Sequence, residues 1–273
     1  MIRTANPALS AFNKPQTWGD LDRAEQKVKT MTIGGTVTAT SILLGICSAT
    51  AVIAWSKFMP MIEAGNTGGL YPWMIGGAIG GFITALIVIF AKRTAPFVAP
   101  IYAAFQGVAL AGFSAIIPMM YFGETNAAGQ VTMPDGATTM IFQAIGLTFG
   151  ILFALLGGYA VGLIRIGKTA QKVMMVAIGG LVVYMIAILL LNGIFSVGIP
   201  NLWTSASPMG IGFSAVVVVL ASFFLVLDFQ FIEAGVKNNA PKYMEWYGAF
   251  GLMVTLVWLY MELLRLLAKL RSN

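Results

Sequence analysis

The sequence predicts an all-α integral membrane protein of seven transmembrane helices, and three observations predict it. Of its 273 residues 58% are hydrophobic and only 10% charged, and its mean hydropathy is +0.85, a balance no ordinary soluble core requires. Seven apolar stretches are each long enough to cross a bilayer. The charges otherwise keep to the ends of those stretches and the connections between them, with Asp228 and Glu262 as exceptions set inside.

A helix rising ~1.5 Å per residue needs ~20 residues to cross the hydrocarbon. The segments 31–56, 71–91, 97–122, 138–164, 173–199, 207–232 and 244–267 meet that length. Short connections without a composition shift make residues 31–273 one seven-helix domain, preceded by a polar segment of residues 1–30. That polar start rules out a cleaved signal peptide. Within it, Thr17 with Asp20 three residues on forms a capping pattern, and Trp18, Leu21, Val28 and Met31 fall on roughly one helical face. A short interfacial helix fits this pattern, as does an ordered linker without membrane contact. Asn6-Pro7 and Lys14-Pro15 upstream read as turns or a disordered tail.

Lysine and arginine set the orientation. Arg3, Lys14, Arg23, Lys27 and Lys29 precede the first span, and Lys92, Arg93, Arg165, Lys168, Lys172, Lys237 and Lys242 fill alternate loops. These twelve place the N-terminus in the cytoplasm of a cell membrane. The opposite loops carry Lys57 with the acids Glu63, Glu124 and Asp135. Seven crossings put Arg265, Lys269 and Arg271 outside, against the bias, so either the tail is an exception or the last span stops short.

Several function classes fall at once. The net charge of +6 sits in inter-span loops, where lipid orientation explains it without nucleic acid. With no histidine and one cysteine, Cys47, zinc sites, disulfides and histidine-based catalysis are excluded. A presenilin-like protease needs two membrane aspartates and only Asp228 exists; a retinal protein needs a lysine in the seventh span, which has none before Lys269. The chain is therefore expected to be no enzyme, to need no cofactor, and to have the lipid bilayer as its first partner.

Small-residue clusters at Gly76-Gly77, Gly80-Gly81, Gly157-Gly158 and Gly179-Gly180 suit close helix packing. Pro100 and Pro118 bracket the third span, and Gln106, Gln143 and Asn192 are polar groups at mid-span that can bond adjacent helices. In the sixth span Ser207, Ser214, Ala221 and Asp228 recur every seven residues, and in the seventh Gly248, Thr255 and Glu262 do the same. Seven residues return a helix to within ~20° of its starting direction, so each series forms one stripe. Two such stripes packed together can hold an acid away from lipid, where a lone carboxylate would cost ~2.5–3.5 kcal/mol. Asp228 lies ~10 Å from the cytoplasmic turn and Glu262 ~30 Å along the next helix, too far apart to meet directly. Asp228 is expected to find Arg93 or Lys92, and Glu262 to pair with Arg265 on its own helix. Leaving water favours a neutral carboxyl and a neighbouring guanidinium favours a charged one, so a site offering both can switch on proton uptake. A static ion pair between two helices is the other reading.

The run Leu227-Asp228-Phe229-Gln230-Phe231-Ile232-Glu233, with the closing Leu263-Leu264-Arg265-Leu266-Leu267, resembles the C-terminal signature of the transmembrane Bax inhibitor motif family. Pro100-Ile101-Tyr102-Ala103 with Gln106-Gly107, and Gly162-Leu163-Ile164-Arg165, resemble bacterial YccA-like members. The resemblance spans nearly everything from residue 31 and implies a seven-helix fold with the last helix central, a bacterial inner membrane and a pH-sensitive calcium leak. It implies that Asp228 is the sixth-helix acid of the gate and Arg93 its basic counterpart. Thr255 falls where many relatives carry the seventh-helix acid, with Glu262 two turns beyond, and Gln106 replaces a third-helix glutamate. Calcium wants several oxygen ligands and negative charge, so those departures support calcium less than they support the fold.

A proton-regulated cation leak is therefore expected, with Asp228 and Arg93 at the gate and Thr255, Glu262, Gln106 and Ser214 lining the path. The competing expectation is a non-conducting membrane partner, a subunit or regulator of a larger complex such as a membrane protease.

Overall fold

The computed structural model describes residues 30–124, 132–196, 198 and 201–272. Seven helices are long and apolar enough to cross a bilayer: α1 (Ile33–Glu63), α2 (Leu70–Phe90), α3 (Ala95–Phe122), α4 (Ala137–Ala160), α5 (Lys168–Gly193), α6 (Pro208–Lys237) and α7 (Met244–Arg271). Short 3-10 turns at Thr67–Gly69 and Lys92–Thr94 lead into α2 and α3. Successive helices run in opposite directions. The start of α1 and the α2–α3, α4–α5 and α6–α7 connections therefore share one face, the N-terminal face, and the other connections share the C-terminal face with the end of α7.

Helix ends follow local chemistry. The Thr32 hydroxyl accepts from Gly35 N at 3.0 Å, and the Ser207 hydroxyl from Gly210 N at 3.2 Å ahead of Pro208 in the first turn, satisfying donors that no helical carbonyl reaches. Beyond α4 the chain turns at Gly162, whose φ of 76° suits a residue without Cβ. Three helices outrun their apolar windows. α1 passes Lys57 to Glu63 because Phe58 and Ile62 bury against Leu70, Ala111 and Ala115, and such burial stabilises by ~1.5–3 kcal/mol per side chain. α6 ends on the Lys237–Glu233 pair, 2.6 Å apart.

α7 continues to Arg271, whose guanidinium donates to Gly136 O at 2.9 Å in the α3–α4 connection. At its other end, Lys92 of the α2–α3 turn lies 5.3 Å from the Tyr247 ring centre. The helix therefore runs the full height of the bundle. The basic tail sits on the face opposite the start of α1.

Centrality of α7 is visible in its packing. It lies against α1, α3, α4 and α6 and buries fifteen residues, including Met253, Leu259 and Leu264. In α5 only Met174 is buried. α2 reaches the bundle through α3: a Cβ at Gly77 would lie 2.8 Å from the Ala109 amide nitrogen, so glycine permits that approach. Gly179 and Gly180 of α5, expected to serve packing, face open space instead. α5 joins the rest in its C-terminal half, where the Tyr184 ring lies tilted 5.6 Å from that of Phe213 of α6 and its hydroxyl accepts from Leu202 N at 2.9 Å.

The interfacial helix expected from Thr17 lies outside the described residues. Where the description begins, Met31 N donates to Ala240 O at 2.7 Å and Thr30 bridges to Pro241. The lead-in to α1 is thus tied to the α6–α7 hairpin. Glu245, 4% exposed, tightens this corner by accepting from Thr32 N at 2.9 Å, Thr32 Oγ1 at 2.7 Å and Lys242 Nζ at 2.8 Å. A side chain at Gly35 would collide with its carboxylate.

Candidate functional site

The heptad stripes of α6 and α7 do face each other. Ser214 and Ala221 are 1% and 0% exposed, and Thr255 and Glu262 are 8% and 2% exposed. Small side chains let the two helices approach closely, and the apolar cluster of Leu225, Phe229, Leu252, Leu256 and Leu259 closes around them. The seam has two polar ends.

Towards the N-terminal face stands Asp228. Its neighbours on α7 are Gly251, whose missing Cβ would lie 4.0 Å from Asp228 Oδ1, and Thr255 beside the carboxylate. The Thr255 hydroxyl donates to Gly251 O at 3.3 Å. Asp228 Oδ2 is buried without a hydrogen-bond partner, the one such side-chain atom among the described residues. An unsatisfied buried polar atom costs ~1–3 kcal/mol, and more when charged, so the site stores a demand for a proton, a donor or a cation.

The ion pair expected between Asp228 and Arg93 is not formed. Arg93 lies exposed in the Lys92–Thr94 turn and belongs to none of the three ion pairs among the described residues. Lys92 sits over Tyr247 instead. The reason is helix adjacency: α2 packs on α3 and not on α6. Gln106 likewise points away from the seam, at α2; a Cβ at Gly81 would lie 2.8 Å from its Oε1. Just below Asp228 on α6, Gln230 donates to Ile166 O at 3.1 Å and Tyr159 donates to Glu233. These bonds hold the α4–α5 connection against α6.

Towards the C-terminal face the seam is closed by cations. Glu262 pairs with Arg265 at 2.7 Å on the same helix, as its spacing predicts, with the Glu262 side chain 2% exposed. The Arg265 guanidinium stacks 4.6 Å from the Trp203 ring centre. Lys269 is fully buried. Its ammonium donates to Leu202 O and Gly210 O at 2.9 Å and to Ser214 Oγ at 2.8 Å. Ser214, expected to line a path, is thus a lysine acceptor. Sequence reasoning placed Lys269 in the tail, yet one more step of the Gly248–Thr255–Glu262 heptad lands on it. Glu245 was missed too, because an acid in the first turn of a helix reads as an ordinary terminal charge.

The site therefore unites Asp228 with Thr255 at one level and Ser214 with Lys269 near Glu262 at another. Thr255 and Glu262 are seven residues and ~10 Å apart along α7, so the two acids do not meet. Among the described residues no group of three or more His, Cys, Asp or Glu side chains could hold a metal ion.

Seven helices able to cross a membrane, with the last packed among the others and a polar seam between the sixth and seventh, define a polytopic helical membrane protein whose buried polar groups lie between helices. The model of one family, described as Bax inhibitor 1 like, matches residues 6–272, and the chain belongs to that family. No curated protein and no solved structure matches the chain.

Proposed function

We propose that the α6–α7 seam is a proton-regulated cation leak pathway and that Asp228 is the group that takes the proton. The single observation carrying this reading is the buried Asp228 Oδ2 with no hydrogen-bond partner. When charged, the carboxylate adds an unsatisfied acceptor to the contact between α6 and α7. When protonated, it becomes a donor beside Gly251 and Thr255, and the two states hold the helices together by different contacts. A local proton can thereby bias the seam between closed and conducting arrangements. Arg93 serves as counter-charge in the arrangement that brings the α2–α3 turn towards α6, Thr255 lines the path, and the Glu262–Arg265 pair supports its far end.

Family membership supports a membrane conduit over an enzyme, and the permeant species is a cation, calcium included. In this reading the protein is a YccA-like member in the cell membrane with its N-terminus in the cytoplasm, as its twelve loop and leading basic residues favour. A second reading, a non-conducting subunit of a larger membrane complex, draws on the nearly unburied α5. The discriminating experiment is potassium and calcium flux into liposomes holding the purified protein, measured across pH for wild type and Asp228→Asn. Wild-type flux above the empty-liposome level, with a pH dependence that Asp228→Asn removes, supports the leak. Flux no higher than in empty liposomes leaves the subunit reading standing.

A further inference from the structure

α1 packs on α3 and α7, and α4 on α6 and α7. Between α1 and α4 this leaves a cleft of about 320 Å³ floored by Ser114 of α3 and by Leu256 and Tyr260 of α7. We propose that the cleft holds one acyl chain of a bilayer phospholipid from the leaflet on the C-terminal face.

Its walls are mostly hydrocarbon, and of the five hydroxyls among them those of Ser114, Thr148 and Tyr260 are already used, which leaves only Ser48 and Thr138. Ser114 donates to Leu110 O at 2.6 Å and shares a 2.6 Å hydrogen bond with Tyr260; Thr148 donates to Ala144 O at 2.7 Å. Water entering would find little to bond, and apolar cavities of this kind stay dry and accept apolar guests. The volume lies at the lower end of the ~300–1,000 Å³ typical of ligand sites.

Position and length match the occupant. On α1 the lining runs from Leu44 to Trp55, and on α4 from Thr138 to Phe149. Each stretch is twelve residues, whose eleven rises cover ~17 Å along a helix, against ~15 Å for half of a ~30 Å hydrocarbon layer. Thr138 is the second residue of α4, so the cleft begins at the C-terminal face and ends near the midplane. At the mouth, Val52 and Phe142 are each 68% exposed, which makes the cleft continuous with the surface the bilayer already covers. Leu256, 3% exposed, lies on the central helix and meets lipid only through this opening. The inference rests on the fold and is independent of the leak reading.

The test is photo-crosslinking in phosphatidylcholine vesicles in which a fraction of the lipid carries a diazirine at mid-chain, with adducts on the full-length protein located by mass spectrometry. Adducts are expected on Leu256, Val257 or Tyr260 of α7. They should fall severalfold in Ala51→Phe, which narrows the cleft from α1, and in Ile145→Phe, which narrows it from α4. Adducts on Val216 of α6, 67% exposed and remote from the cleft, should stay unchanged in both variants, reporting an intact bundle. Adducts confined to Val52, Phe142, Val216 and similar outward residues overturn the proposal. So do α7 adducts that neither variant diminishes.

Discussion

The two ends of the α6–α7 seam treat charge in opposite ways. Near the C-terminal face Glu262 has Arg265, Arg265 has Trp203, and Lys269 has two carbonyls and Ser214. Near the N-terminal face Asp228 keeps one buried oxygen with nothing to bond. Both ends lie on the same two helices and the same heptad stripes, but Glu262 and Lys269 are buried with their partners, whereas Asp228 is half-buried and leaves one oxygen unbonded. Saturated charges fix a structure, because changing either state breaks several bonds at once. An unsaturated one leaves room for a proton or an ion, so the proposed leak puts regulation at the Asp228 end and anchoring at the Lys269 end.

Four changes would break or sharpen that contrast. The largest effect is expected from Arg265→Ala, which strands Glu262 in the interior; losing one partner of a buried pair costs ~3–5 kcal/mol. Denaturant unfolding in mixed micelles should show that loss, with recovery when Glu262→Gln is added, as a double-mutant cycle would detect. A loss under ~1 kcal/mol would mean that the C-terminal end is no anchor. Next comes Lys269→Met, which removes the ammonium's bonds to the Leu202 and Gly210 carbonyls and to Ser214 and costs ~1–3 kcal/mol. Hydrogen exchange should report looser protection through residues 201–205 while the α2–α3 region stays unchanged.

Asp228→Asn should alter stability by less than ~1 kcal/mol, since it removes no hydrogen bond made by Oδ2. Its effect belongs to ion flux, where pH dependence should flatten. A large drop in melting temperature with an unchanged flux profile would make Asp228 a structural residue after all. Arg93→Gln, at an exposed turn, should shift stability by no more than ~0.5 kcal/mol. If Arg93 is the counter-charge in the proposed alternate arrangement, the flux profile moves along the pH axis; an unmoved profile removes it from the gate.

Much of the architecture was legible because hydrocarbon demands length and apolarity, both local properties of a sequence. All seven spans were found from them. Their ends were not always: Lys57 looked like an exit from the membrane, whereas Phe58 and Ile62 bury beyond it and carry α1 on to Glu63. The facing stripes of α6 and α7 were legible from a seven-residue recurrence. Which helix stands beside which was not, since adjacency is decided by packing over the whole bundle. That is why Arg93, plausible as an Asp228 partner by depth alone, belongs to a turn between α2 and α3 while α2 never packs on α6. Lys269 shows a different failure: its position followed the stripe, but its charge suggested water, and only the carbonyls of Leu202 and Gly210 explain its burial.

The helix at the middle of the bundle also follows the other six described helices in the chain. Six helices must enter the bilayer around a gap that only α7 can fill, with Ser214 awaiting an ammonium and Asp228 bordering lipid tails meanwhile. A carboxylate in that setting costs ~2.5–3.5 kcal/mol. Translation arrested after α6 therefore produces a particle hollow at its heart, open to quality-control proteolysis, whereas the loss of a peripheral helix such as α5 would leave the interior filled.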